Sequence, residues 1–468
     1  DPFTVSGVTF TGDSEGTCGN NGNGISMVYV ENSYSDIDNI DITDNGYGLF
    51  FQQSSGELTN SAVTVNCAAV DTKGLKQTGD IKHTLKIENN VFTTTDGAGI
   101  TAYDQAQISA SGNTISGAES GSGIAIRSSI ATLENNIVGP IGGYNGLWIY
   151  GTSDVVAIGN TFSDTAREPV VHGEYHYQDS GWPSIQPSES RLYMENNIIS
   201  NNSGTCSSQK MYGGEFQCPA IHIFRSSATL YNNTVTDSVG DALRIKGGIV
   251  NVQGNVMQTE SFGVNISHHD DNYGNKYGSI GYFSGNTYTN ATQVYNITES
   301  RVTIQSEYIP DAGGNEIYPI QLRWLNSECP AVQNECLQVP DTSQMPPVGM
   351  PMSLELVNNS TVLSYAGLQN FDTSKIHVQN QNSAWGTQVR EGELVRFQIK
   401  ASNSNVNEAT VLIKNSTGFP LYSLTTDQFG YTPEVTLPSD FYLDRNWNNQ
   451  VGEQGVTVVV DPGPPAST

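Results

Sequence analysis

The stretch GSGIAIRSSIATLENNIVG, residues 121–139, sets apolar residues on alternate positions, places glycines ahead of them, and carries a doubled asparagine near its end. Alternation at period two means β-strand, because successive side chains point to opposite faces. Ile124 and Ile126 therefore face a core, and Ala125 and Arg127 face out. The closing phrase returns along the chain as IENNVF, ASGNTI, LENNIV, AIGNTF, MENNII, LYNNTV, VQGNVM and FSGNTY. Its asparagines are Asn90, Asn113, Asn136, Asn160, Asn197, Asn233, Asn255 and Asn286, with weaker copies at Asn39 and Asn60.

A period near 22 to 24 that tolerates insertions marks a solenoid, and short alternating runs between Gly, Ser and Asn make each period three strands. At the strand spacing of ~4.8 Å, stacked asparagine amides bond upward and downward as a ladder. The same residues are expected at a sharp bend, where Asn accepts the left-handed backbone region. The expected fold is all-β, a parallel β-helix of about ten coils followed by a β-sandwich.

Residues 1–300 are read as the β-helix. Residues 301–351 form a connecting region with a disulfide loop and the linker QMPPVGMPM, residues 352–462 an immunoglobulin-like β-sandwich, and residues 463–468 the start of a linker. The sandwich reading rests on longer alternating strands such as STVLSYAG, LVRFQIKA, ATVLIKNS and VTVVVDPG.

Composition narrows the function. The chain has 47 acidic and 20 basic residues among 468, a net charge of −27, which argues against nucleic acid as a partner. No apolar run is long enough for a membrane span. The chain opens as strand, DPFTVSGVTFTG, and reads as a mature or excised segment. Cys206 with Cys218, Cys329 with Cys336, and Cys18 with Cys67 are the expected disulfides. Sequons stand at Asn201, Asn232, Asn265, Asn290, Asn296, Asn358, Asn359 and Asn415. Together these favour an extracellular or cell-surface glycoprotein.

The repeat resembles the right-handed parallel β-helix proteins of the pectate-lyase-like superfamily, over roughly residues 1–300, in the repetitive form found on cell surfaces. TTDQFGYTPEVTLPSD, residues 425–440, resembles a strand-turn-strand of carboxypeptidase-regulatory-like and other immunoglobulin-like modules. The resemblance implies the fold. In the polysaccharide lyases of that superfamily a groove runs over the first sheet.

The outward positions of that sheet carry Phe50 and Gln52, Lys76 and Thr78, Thr101 and Tyr103, Ala125 and Arg127, Trp148 and Tyr150, His222 and Phe224, and Arg244 and Lys246. Rings stack on sugars, and guanidinium forks hold carboxylate or sulfate. Tyr103, Arg127, Trp148, Tyr150, His222, Phe224, Arg244 and Lys246 are thus the carbohydrate-binding candidates, with Trp182 from an inserted loop. One reading is a structural or adhesion module that binds a polysaccharide or cell-surface glycan and assembles end to end with copies of itself or with adjoining domains. The other is a lyase or hydrolase acting on an acidic polysaccharide in the same groove. Its candidate acids, bases and cations are Lys246, Arg244, His172, Glu174, His176 and Asp270.

Calcium is the one cofactor suggested, through Asp36, Asp38, Asp41 and Asp44. Turn-forming aspartates on solvated corners are the more ordinary reading of these residues.

Overall fold

The computed structural model describes residues 3–12, 18, 26–44, 46–74, 84–173, 190–202, 204–207, 215–270, 276–311, 319–324, 361–371, 375–380, 387–401, 404–414, 420–443, 448–451 and 457–461. Regular structure among them is β-strand, and no helix is long and apolar enough to cross a membrane. Two units divide the chain: Asp1–Ile245 with Asn255–Val264 and Thr289–Thr292, and Lys246–Gly254 with Asn265–Tyr288 and Gln293–Thr468.

In the first unit the stretch 121–139 covers strands of three different sheets. Ile124–Arg127 belongs to sheet C, Ile130–Glu134 to sheet A and Ile137–Ile141 to sheet B. Each pairs in parallel with strands one coil before and one coil after. Ile124, Ile126, Leu133 and Val138 have no exposed surface. Burial of each such side chain contributes about 1.5–3 kcal/mol.

The ladder is present and buried. Asn136 Nδ2 donates to Asn160 Oδ1 at 2.9 Å and to the Ala110 carbonyl at 2.9 Å. Its Oδ1 accepts from Asn113 Nδ2 at 2.9 Å and from the Asn113 backbone N–H at 3.1 Å. The same pattern joins Asn90 to Asn113, Asn160 to Asn197, Asn197 to Asn233 and Asn233 to Asn255. The amides of Asn113, Asn136, Asn160, Asn197 and Asn233 thereby use both donors and both lone pairs of the oxygen, which makes their burial tolerable.

The left-handed bend falls one residue earlier than expected. Asn89, Asn135, Asn196 and Asn232 have φ of 50–55°, and Gly112, Gly159 and Gly254 take the same place. The doublets NN and GN are thus two different instructions: a first residue that accepts positive φ, and a second that joins the ladder. At the weak copies Asn39 and Asn60 are themselves the bend residues. The ladder position after Asn39 is Ile40, whose backbone N–H donates to Ser61 Oγ at 3.2 Å, and after Asn60 it is Ser61, whose backbone N–H donates to Asn90 Oδ1 at 2.9 Å.

A second row, not anticipated, links serines between sheets C and A. The Ser129 N–H donates to Ser153 Oγ and the Ser153 N–H to Ser190 Oγ.

In the second unit the parallel coils continue past residue 300, where the sequence reading ended them. Ile280–Ser284, Arg301–Gln305, Thr361–Ala366 and Thr387–Val395 pair in parallel, as do Gln293–Thr298, Ile320–Trp324 and Ile376–Asn380. STVLSYAG, assigned above to a sandwich, therefore supplies a coil strand. The signal fades because the ladder residue changes. Ser306 takes the bend, with φ of 54°, and Glu307 replaces asparagine, accepting from Asn286 Nδ2 at 2.6 Å and from the Tyr295 hydroxyl at 2.7 Å. Burial pushes the Glu307 carboxyl up to about 7.

Beyond this point pairing turns antiparallel. Thr387–Val395 pairs with Val435–Leu443, and Thr410–Lys414 lies between Pro420–Thr425 and Thr457–Asp461. Val411, Ile413, Tyr422, Leu424 and Val435 form a cluster there. The linker at 344–352 and the residues 463–468 lie outside the described residues.

Candidate functional site

Sheet C turns one face outward, and its register aligns two columns of side chains. Phe50, Asp71, Thr101, Ala125 and Trp148 form one column. Gln52, Lys73, Tyr103, Arg127 and Tyr150 form the other. The coil expected to present Lys76 and Thr78 instead presents Asp71 and Lys73, because its strand is Val70–Lys73. Residues 75–83 lie outside the described residues. The phrase AAVDTK has the alternation, and the Gly74-Leu75 pair that follows it offers a competing strand start.

Above these columns opens a cavity of about 820 Å³ lined by Tyr47, Asp71, Lys73, Tyr103, Arg127 and Tyr150 among others. Tyr144 and Asp96 reach it from the corners. Cys18 and Cys67, joined as expected, close one part of its wall.

Rings and cations alternate along the wall. The Trp148 and Tyr150 rings stack with centroids 4.3 Å apart. Arg127 lies 5.9 Å from the Tyr150 ring centre and Lys73 lies 5.7 Å from that of Tyr103. Lys73 also faces the Asp104 carboxylate at 3.9 Å.

Asp71 is 6% exposed. Its Oδ1 accepts from the Thr101 hydroxyl and its Oδ2 from the Tyr103 hydroxyl at 3.5 Å. Burial pushes the carboxyl up to about 6, against the opposing pull of those two hydroxyls and of Lys73. The Tyr103 phenol is raised by burial and by the Asp71 charge, so it stays a donor. Burial also raises Tyr150, with Arg127 opposing. A carboxyl that titrates near neutrality beside a fixed phenol can bind a hydroxyl or pass a proton.

Further along sheet C the aromatic stripe is covered. His222 does point out from the sheet, in register with Val171 and Trp148, yet it is fully buried and Phe224 is 6% exposed. His222 Nδ1 lies 3.6 Å from Glu168 Oε1, and Glu168 accepts from Asn145 Nδ2 at 3.1 Å. Neither His222 nor Phe224 offers an open sugar platform. Arg244 is ion-paired with Asp241 at 2.6 Å and its side chain is 18% exposed. Lys246 is half-buried in the second unit.

His172, a catalytic candidate from the sequence, faces the core. It stands in register with Ile149 and Ile223 and is fully buried. Burial pushes its imidazole down to about 4. The alternation in VVHG places it inward, away from the outer face on which a catalytic group of the groove would stand. Glu174, His176 and Trp182 lie outside the described residues, as does the side chain of Asp270.

Asp36 and Asp41 are exposed, Asp38 half-buried and Asp44 buried. Asp38 accepts from Thr59 and Asn60, both at 2.8 Å, and those bonds, Asn60 foremost, lower its carboxyl. Among the described residues the ligating atoms that gather within 4.8 Å belong to Glu168, Cys206 and Cys218, rather than to these aspartates. Cys206 and Cys218 are already joined to each other.

Cys329, Cys336, Asn358, Asn359 and Asn415 lie outside the described residues. Asn201, Asn232 and Asn290 are exposed. Asn296 is buried and donates to Asn265 Oδ1 at 2.9 Å. That pair therefore reads as a rung contact rather than as two glycan acceptors.

A family model described as a right handed beta helix region matches residues 3–138 and 83–296, which together run through more than half of the chain. No curated protein matches. Among solved structures the chain is similar to the A-modules of mannuronan C-5 epimerases AlgE4 and AlgE6 from Azotobacter vinelandii. AlgE4 shows 12% identity over 80% of this chain and 89% of that one, with a TM-score of 0.48. AlgE6 shows 12% identity over 83% and 91%, with a TM-score of 0.47. It is also similar to a tailspike protein of E. coli bacteriophage HK620, at 13% identity over 98% and 86% with a TM-score of 0.30.

Proposed function

The chain belongs to the right handed beta helix region family, and from that premise we propose that the cavity over sheet C binds a polysaccharide or cell-surface glycan, in an extracellular or cell-surface protein. One observation carries the reading: Tyr103, Arg127 and Tyr150 stand in register on one outer face, half-buried, along an 820 Å³ cavity. Tyrosine faces stack on pyranose rings, and the Arg127 fork can hold a carboxylate, a sulfate or paired hydroxyls. Trp148, stacked on Tyr150, stiffens that end of the platform. The disulfides Cys18–Cys67 and Cys206–Cys218 suit an oxidising compartment.

Asp71 favours a second reading, in which the bound glycan is also cleaved or rearranged. Its carboxyl, raised to about 6, would supply the proton-transfer group beside the Tyr103 phenol.

The test is a glycan array followed by titration of the best binder. Arg127→Ala is expected to weaken binding at least tenfold, since charge-assisted hydrogen bonds contribute about 1.5–3 kcal/mol. Incubating the hit with the protein and measuring new reducing ends and unsaturated uronate absorbance separates the two readings. Product that disappears in Asp71→Asn establishes the second, and binding without product leaves the first. Failure to bind any glycan overturns both.

A further inference from the structure

We propose that the outer face of sheet B is an ice-binding surface, which orders a layer of water and joins the protein to ice through it. Here Val91, Thr114, Ile137, Thr161, Ile198 and Thr234 stand one above another in unbroken register. Ala62 precedes them and Val256 follows. Two residues along each strand runs a second column, Thr64, Thr93 and Ser116, resumed after a register shift by Ser163, Ser200 and Thr236. Val91, Ile137 and Ile198 are 51%, 52% and 49% exposed. Each member of the first column from Val91 onward directly follows a ladder asparagine, so the buried amides fix its height.

β-Branched residues suit any strand, but strand preference does not explain the absence of charge. From Ala62 to Thr236 neither column holds a charged residue, in a chain of net charge −27. Sheet A, built from the same coils, shows Lys86, Glu88, Glu134, Asp154, Arg191 and Glu195 on its strands. The face is kept neutral on one side only.

Its occupant is therefore uncharged, and other features narrow it further. The columns hold no aromatic ring, so a sugar would find no stacking platform. The face spans roughly 34 Å by 10 Å at ~4.8 Å per rung and ~3.3 Å per residue. That falls well below the ~800 Å² per partner of a stable protein interface, so a second copy would not be held by this face alone.

What the face does possess is order along the stack: from Val91 onward the first column offers methyls at every rung of ~4.8 Å and a threonine hydroxyl at every second one, with the second column ~6.6 Å away and interrupted only at Gly139 and Pro140. A repeat of this kind is best matched by a partner that is itself a lattice. Threonine and serine hydroxyls hydrogen-bond water, and the methyls between them hold it in place without competing for it.

The experiment is nanolitre osmometry with ice-growth microscopy on the whole chain. Ile137→Lys places a charge in the middle of the face, and Ile130→Lys makes the same change on sheet A, where Ile130 is 44% exposed. Thermal melts confirm that both variants fold. Expected results are a gap between freezing and melting points with facetted crystals for the parent and Ile130→Lys, and at least a fivefold smaller gap for Ile137→Lys. Round crystals with no gap for the parent overturn the proposal. So does a gap that Ile137→Lys leaves unchanged.

Discussion

Sheets B and C enclose the same core and rise by the same coils, yet their outer faces have opposite chemistry. Sheet C carries Asp71, Lys73, Arg127 and a run of rings, and its face is deepened into a cavity. Sheet B carries threonine, serine, valine and isoleucine over the corresponding coils, with its aliphatics half out in solvent. The inward positions of a solenoid are tied to packing, because one core must be filled at every rung. The outward positions are free of that demand, so each face can take its own composition. Difference between faces is then the place to look for function, and similarity between rungs is the place to look for stability.

The greatest loss should come from removing what the two faces share. Asn136→Ala deletes a ladder amide and with it the bonds that the Asn113 N–H, one Asn113 amide hydrogen and the Ala110 carbonyl make to it. At about 1–3 kcal/mol for each such group, the expected loss is about 3–5 kcal/mol. Urea unfolding measures it, and both glycan and ice readouts should fall together. A loss below about 1 kcal/mol would show that the ladder does not hold the register.

A smaller effect belongs to sheet C alone. Burial raises Asp71 from 3.8 to about 6, so the folded chain holds that proton more tightly than the unfolded one. The favourable contribution is complete below pH 3.8 and is lost as pH rises through 6. A rise of that size corresponds to about 2–3 kcal/mol. Asp71→Asn, which keeps an acceptor for Thr101, should flatten this slope in urea midpoints taken between about pH 3.5 and 7.5. An unchanged slope would mean that Asp71 is hydrated in solution.

The mildest change lies at the corner between sheets A and B. Asn135 has φ of 53°, a conformation that glycine adopts freely. Asn135→Gly should leave thermal stability within about 0.5 kcal/mol, while Asn135→Val should cost about 1–2 kcal/mol. Equal effects from the two would mean that the bend is not left-handed.

Much of this was legible in residues 121–139. Ile124 and Ile126 are buried, Arg127 points out, and Asn136 sits in the ladder, because alternation and period are local properties of a chain. The division of NN into a bend residue and a ladder residue was not legible, since both places accept asparagine. Asp71 was not legible because Gly74 and Leu75, just after its strand, offer a competing strand start that puts Lys76 and Thr78 on the outer face. The coils after residue 300 escaped because Glu307 takes the place of asparagine there. His222 was placed on the correct face and given the wrong environment, since Glu168 and Asn145 reach it from tens of residues away in sequence.

Read without coordinates, the chain already specifies its period, its inward residues, the hydrogen-bonding ladder and the composition of most outer positions. These follow from side-chain alternation and the stacking distance, which need no knowledge of what lies beyond the strand. Three things emerged only on folding: which part of the aromatic stripe stays open, where Asp71 titrates, and that parallel pairing continues to Thr387–Val395. Burial, dielectric and strand partnership depend on groups brought together from distant coils, and no local pattern encodes them.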